Sequence, residues 1–188
     1  MGGPNGAGKS TSAAPLVRDE LGITTFVNAD AIAQGLSAFD PASASITAGR
    51  IMLQQMQCLA RAGNDFAFET TLASRTFAPW LRELRTVGGY ELLLVFVWLP
   101  SPELSIARVA DRVRAGGHDV PESVIRRRYA RGIANFVHMY RTMVDRFWCY
   151  DNSEATARLV AAGEGDSLRI FQPMVWQQIL QCSTTTTT

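Results

Sequence analysis

Nine consecutive residues near the amino end, Gly3-Pro-Asn-Gly-Ala-Gly-Lys-Ser-Thr11, constrain this chain more than any other stretch. They fit G-x-x-x-x-G-K-[ST], a loop whose small residues let successive backbone N–H groups converge on a polyphosphate. In such a loop Asn5, Gly6, Ala7, Gly8, Lys9, Ser10 and Thr11 form the nucleotide cradle. Lys9 reaches the terminal phosphates and Ser10 ligates Mg²⁺. A helix opening at Lys9 adds its positive end to the same site. Of the 18 basic residues, Lys9 is the only lysine and the other 17 are arginines. A composition that uses arginine for every other positive charge keeps its lysine where a compact, flexible ammonium is needed and a planar guanidinium does not fit.

A phosphate loop belongs between a strand and a helix, and the pattern downstream supplies an α/β fold. Ser10 to Leu21 reads as a helix with Ala14, Leu16, Val17 and Leu21 available for burial, stopped by Gly22. Ile23–Val27 reads as a short strand ending in Asn28-Ala-Asp30, and Asp65–Thr71 as a second that delivers Glu69. Asp40-Pro41 opens a helix to about Ala62, with Ile46, Gly49, Leu53, Met56 and Ala60 on one face. Phe77 to Val87 is helical, and the apolar run Tyr90–Leu99 suits a strand covered on both faces. Ser101-Pro102 caps a helix to about Arg114, and Pro121 opens a long helix with Ile125, Tyr129, Ile133, Phe136, Tyr140, Met143 and Phe147 at helical spacing. Trp148–Asp151 is a strand, Arg158–Ala162 and Leu168–Phe171 form a hairpin, and Pro173 begins a final helix. The expectation is a three-layer P-loop NTPase fold with a mainly parallel sheet in one domain over 1–182. A helical lid spans about 108–131, and 183–188 is a disordered tail. Only Met1 and Gly2 precede the loop, so its supporting first strand is expected to be missing from this sequence.

Composition removes several function classes. A net charge of +1 argues against non-specific nucleic-acid or anionic-membrane binding. No apolar run approaches the roughly 18 residues of a membrane span. The three cysteines, Cys58, Cys149 and Cys182, have no metal-ligand spacing, so reduced thiols in a cytoplasmic protein are expected.

The polar residues left over suit phosphoryl transfer, which requires a cradle, Mg²⁺, a base for the acceptor hydroxyl and positive charge on the transferring group. Asp30 is the candidate base and Glu69 a ligand of the substrate or of a Mg²⁺-bound water, with the two roles exchangeable. Thr70 and Thr71 are candidate substrate hydrogen-bonders. Arginines flank Gly116-Gly117 on two successive segments; Arg112 and Arg128 are the candidates to reach the phosphates, and His118 in the turn is a candidate substrate contact.

Gly3-Pro-Asn-Gly-Ala-Gly-Lys-Ser-Thr11, Val27-Asn-Ala-Asp30, Phe68-Glu-Thr-Thr-Leu72 and Gly116-Gly-His-Asp-Val-Pro121 with Ile125-Arg-Arg-Arg-Tyr129 together resemble the zeta-toxin family of bacterial P-loop kinases, especially its predicted-ATPase branch. The resemblance runs to about Asn152. It implies a UDP-N-acetylglucosamine kinase that phosphorylates the sugar 3′-hydroxyl with ATP or GTP and is restrained by an antitoxin. It further implies that Asp30 is the catalytic base and Glu69 the substrate-contacting acid. The expected activity is transfer of a γ-phosphoryl group to a small-molecule hydroxyl. The alternative is a nucleotide-binding regulatory or antitoxin-partnered ATPase module without a phosphorylated product. A kinase for nucleic-acid ends is disfavoured by the near-neutral charge.

Overall fold

The computed structural model describes residues 1–41 and 43–184, the side chain of Ala14 excepted. A helix, α1 (Lys9–Ala13), leaves the phosphate loop and continues as a π-helical stretch over Ala14–Glu20. Pro15 brings no N–H to the α ladder, which accounts for the wider turn there. Gly22, at φ 68°, ends the segment: its N–H bonds Arg18 O and the Ile23 N–H bonds Val17 O. Then follow β1 (Phe26–Val27), α2 (Ala29–Leu36), α3 (Ser45–Arg61), β2 (Ala67–Phe68), α4 (Phe77–Thr86) and β3 (Leu93–Trp98). The second half comprises α5 (Pro102–Arg114), α6 (Glu122–Asn135), a π-helical extension over Phe136–Tyr140, α7 (Arg141–Met143), β4 (Arg146–Asp151), β5 (Arg158–Glu164), β6 (Ser167–Ile170) and α8 (Pro173–Thr184).

The sheet is built in two parts. β1 pairs with β2 in parallel, β3 pairs with β4 in parallel, and β4-β5-β6 continue antiparallel. Gly2 joins the parts through isolated parallel bridges to Thr70 and to Phe96. Its N–H donates to Val95 O and its carbonyl accepts from the Val97 N–H, both at 2.8 Å. Met1 and Gly2 therefore lie between β2 and β3, where a phosphate-loop strand belongs. Gly3 follows at φ 143°, with Val97 O only 2.2 Å from where a Cβ would lie, so no other residue fits where the loop leaves the sheet.

β3 carries the core on both faces, as its uninterrupted apolar run requires. Leu94, Phe96 and Trp98 face a cluster with α4, α6 and α8, in which Phe136 stacks on Phe96 at 4.0 Å between ring centroids. Val95, Val97 and Leu99 face Ala13 and Val17. These are the layers of the expected α/β fold, and α2 and α3 cover β1 through Val27, Met52 and Met56.

Several expectations are corrected. Asp30 does not end a strand: β1 stops at Val27, Asn28 caps α2 through its side-chain oxygen, and Asp30 sits in the first turn of that helix. Asp40 accepts the Ser43 N–H in a turn, and α3 starts only at Ser45. The buried face of α3 is Ala48, Met52 and Met56, whereas Ile46 and Leu53 are exposed. Leu21 is exposed too. Phe147 belongs to β4, because the helix ends at Met143. Ser183 and Thr184 lie in α8, not in a disordered tail, and 185–188 fall outside the described residues.

Candidate active site

The phosphate loop, α2, α3, the loop after β2 and the arginine faces of α5 and α6 enclose one cavity of about 670 Å³. At its floor Gly6 and Gly8 hold φ 73° and 82°, the left-handed backbone that turns successive N–H groups inward. A Cβ on Gly8 would stand 2.7 Å from Asn152 Nδ2, which instead donates to Ala7 O at 2.8 Å. Asn152, just past β4, thus braces the cradle from behind. Nothing in its local sequence marks that role, which depends on a contact 145 residues away.

Lys9 is 5% exposed and donates to Pro4 O at 2.8 Å. Its ammonium lies 3.5 Å from Glu69 Oε1. Burial pulls the Lys9 pKa down from the ordinary lysine value, and the attraction of Glu69 and, more weakly, Asp30 opposes that shift. Glu69 also accepts from Ser10 Oγ at 2.6 Å and from Asn28 Nδ2 at 3.0 Å. One carboxylate therefore gathers the lysine, the hydroxyl at the metal-ligand position and the cap of α2. Asn28, absent from the sequence-derived candidates, links the two acids: its amide nitrogen holds Glu69, and its oxygen caps the turn that carries Asp30.

The acceptor side of the cavity includes Asp30, Thr70 and Thr71. The 70–74 loop is tied to α6 and to its π-helical extension. Asn135 Nδ2 donates to Leu72 O at 2.8 Å, Tyr140 OH donates to Ser74 O at 2.7 Å, and Thr71 O lies where a Cβ on Gly132 would be 2.4 Å away. Thr70 Oγ1 accepts the Leu72 N–H, and Leu72 holds φ 56°, a strained backbone for a branched side chain.

Arg112 and Arg128 both line the cavity, joined by Arg108, Arg127 and Arg131, which the sequence alone does not separate from solvated neighbours. Arg126 and Arg114 turn away into ion pairs with Glu103 and Asp111. Arg112 donates to His118 O at 2.9 Å, while its buried Nε has no partner among the described residues. His118 contributes that carbonyl, and its side chain is not among those lining the cavity. Burial lowers the Arg128 pKa against the pull of Asp30, so the Asp30 charge acts on the cavity's lysine and on its arginine wall at once. Ile133 near the end of α6 and Phe136 at the start of its π-helical extension are both fully buried and anchor that end of the helix in the core.

Fold and cavity together define a P-loop nucleotide-binding protein. The chain belongs to the family described as the AAA domain, which matches residues 1–132. A Haemophilus influenzae protein, itself uncharacterized, is 27% identical over 127 residues, covering 68% of this chain and 88% of the relative. The fold is shared with a chain of the AvrRxo1-ORF1:AvrRxo1-ORF2 complex crystallised with sulphate ions, at TM-score 0.76 and 14% identity, covering 99% of this chain and 64% of that one. The same pair has been crystallised with ATP, at TM-score 0.73 and the same identity and coverage. A structure of the PezAT toxin–antitoxin system of Streptococcus pneumoniae matches at TM-score 0.58 and 15% identity, covering 98% of this chain and 82% of that one. This chain spans just under two thirds of the length of the matching chain in the AvrRxo1 complex. Among the described residues no helix is long and apolar enough to cross a membrane.

Proposed function

We propose that this protein is an ATP-dependent small-molecule kinase that transfers a γ-phosphoryl group to a hydroxyl, with a UDP-amino sugar as the leading acceptor. The observation that carries this reading is that Asp30, Lys9, Arg112, Arg127, Arg128 and Arg131 line one and the same cavity. The loop fits a nucleotide: its glycines turn the backbone into a concave cradle, and the Lys9 ammonium is buried beside one carboxylate. Ser10 would hold Mg²⁺, with Glu69 beside it. Bound there, Mg²⁺-ATP supplies an electrophilic phosphorus and its leaving group.

The chain's own residues then divide the work. Backbone N–H groups from Asn5 to Thr11 bind the phosphates, and Lys9 exchanges its contact with Glu69 for one with the terminal phosphate. Asp30, exposed to the cavity from the first turn of α2, takes the acceptor's hydroxyl proton. Thr70 and Thr71, on the loop tied to α6, orient the acceptor. Arg112 and Arg128 stabilise charge on the transferring group, with His118 contacting the substrate when the turn closes. The resemblance to the zeta toxins supports a sugar-nucleotide acceptor, and the AvrRxo1-ORF1:AvrRxo1-ORF2 complex and the PezAT toxin–antitoxin system support a protein partner such as an antitoxin. ATP in the AvrRxo1 complex supports the choice of nucleotide.

The test is mass spectrometry of sugar nucleotides incubated with ATP, Mg²⁺ and either wild-type protein or Asp30→Asn. The variant is expected to lose about 10²- to 10⁴-fold in transfer rate while retaining nucleotide affinity. Equal product formation by the two proteins would remove Asp30 as the base. ATP binding without any phosphorylated product would favour the regulatory module.

A further inference from the structure

The two acids of the cavity are joined by a side chain to which the proposed division of work gives no part. β1 and β2 run parallel, with Val27 opposite Phe68 and the Glu69 N–H donating to Val27 O at 3.1 Å, so Asn28 and Glu69 leave the two strands side by side. The Asn28 backbone is still extended, at φ −134° and ψ 121°, the conformation from which a cap reaches over the first turn of its helix. Its Oδ1 accepts the Asp30 N–H at 2.8 Å and the Ala31 N–H at 3.3 Å, while its Nδ2 donates to Glu69 Oε2 at 3.0 Å. These partners fix the orientation of the amide. Flipped, it would set its NH₂ against two backbone donors and its oxygen against a carboxylate.

Glu69 Oε2 also accepts from Ser10 Oγ, and Oε1 lies 3.5 Å from the Lys9 ammonium. In the proposed reaction both of those partners turn to the nucleotide and its Mg²⁺. Asn28 is the partner that stays. A glutamate has several rotamers to lose, so once lysine and serine let go it keeps its place only through the bond that remains.

We propose that Asn28 is a positioning residue that locks Glu69 and the Asp30 turn into one unit, holding their spacing when Lys9 and Ser10 move to the nucleotide. This inference rests on the kinase reading. It separates two functions of one amide: the oxygen caps α2, and the nitrogen carries the coupling. Threonine and aspartate at this position are both able caps. Threonine falls short of Glu69, and aspartate meets it with a like charge.

The experiment compares wild type with Asn28→Thr and Asn28→Asp in transfer kinetics, thermal melts and amide exchange. Both variants are expected to lose about 10- to 100-fold in kcat, the effect of a small misplacement of reacting groups. Because the cap survives, KM for ATP should stay within about twofold and Tm within about 3 °C of wild type. In wild type, Mg²⁺-ATP is expected to slow exchange at the Asp30 and Ala31 amides, since a carboxylate left to Asn28 alone polarises that amide and strengthens its oxygen as an acceptor. In the variants the nucleotide should leave that exchange unchanged. Wild-type kcat in either variant would overturn the proposal, as would a loss that matches a raised KM for ATP and a lowered Tm. So would nucleotide-dependent slowing that persists in both variants. If wild type itself forms no transfer product, the kinase reading fails, and exchange at Asp30 and Ala31 then decides between coupling and a plain cap.

Discussion

Replacing Glu69 with glutamine removes the carboxylate 3.5 Å from the Lys9 ammonium while leaving an amide oxygen that still accepts from Ser10 and Asn28. Lys9 is 5% exposed and Glu69 14%, so water screens this pair little. Removing one partner of a buried pair costs about 3–5 kcal/mol. The two hydrogen bonds that glutamine retains bring the expected loss to about 2–3 kcal/mol. At about 2–4 °C per kcal/mol for a chain this long, Tm should fall by about 5–10 °C. The sign with pH follows from Lys9. Its folded pKa is already depressed by burial, and without Glu69 it drops further. The unfolded chain then binds the proton more readily than the folded one, so the penalty is full at low pH. It fades as pH rises through the wild-type folded pKa, where Lys9 is neutral in both proteins. Phosphates would also replace Glu69 as the partner of Lys9, so saturating Mg²⁺-ATP should raise Tm more in the variant than in the wild type. Thermal melts from pH 6 to 10, with and without nucleotide, test each part. A penalty independent of both pH and nucleotide would show that Glu69 does not stabilise the lysine.

Gly132→Ala would put a methyl group 2.4 Å from Thr71 O, a backbone atom; α6 and the acceptor-side loop must separate, at a cost of about 1–3 kcal/mol, visible as a lower urea midpoint. An unchanged midpoint would mean that the loop is not clamped. Asn135→Leu strands Leu72 O and removes the acceptor of Arg75 Nε, for a loss of about 1–3 kcal/mol, with Asn135→Asp falling between it and wild type; equal stability of all three would refute the tether. Thiol labelling at neutral pH should modify exposed Cys58 and spare Cys149 until denaturant is added, because Cys149 is fully buried and burial pushes its pKa well above the ordinary thiol value. Rapid native labelling of Cys149 would contradict that packing.

Local chemistry carries through to the structure wherever neighbours in sequence are also partners in space. The glycines of the phosphate loop, the Ser101 cap of α5, the β5-β6 hairpin and the covered run of β3 depend on spacing alone, and each is found where the residues place it. The face of α3 is different. Ile46 and Leu53 carry the stronger apolar signal, yet Ala48, Met52 and Met56 are buried, because the neighbours that select a face, Val27 and the aromatic residues beyond it, come from distant segments. Of the arginines, sequence marks a cluster; only the packing of α5 against α6 directs Arg108, Arg127 and Arg131 into the cavity and Arg126 out to Glu103.

The same division runs through the site itself. By its own residues the chain specifies a phosphate loop, one lysine and two acids, because backbone freedom at glycine and the chemistry of single side chains are properties of short stretches. Tertiary structure alone decides that Glu69 collects Lys9, Ser10 and Asn28, that Asn152 props the loop, and that Gly2 stitches two half-sheets together. Those contacts join residues from 41 to 145 positions apart where they are hydrogen-bonded side chains. Their energy comes from burial and charge pairing that exist only once the layers close.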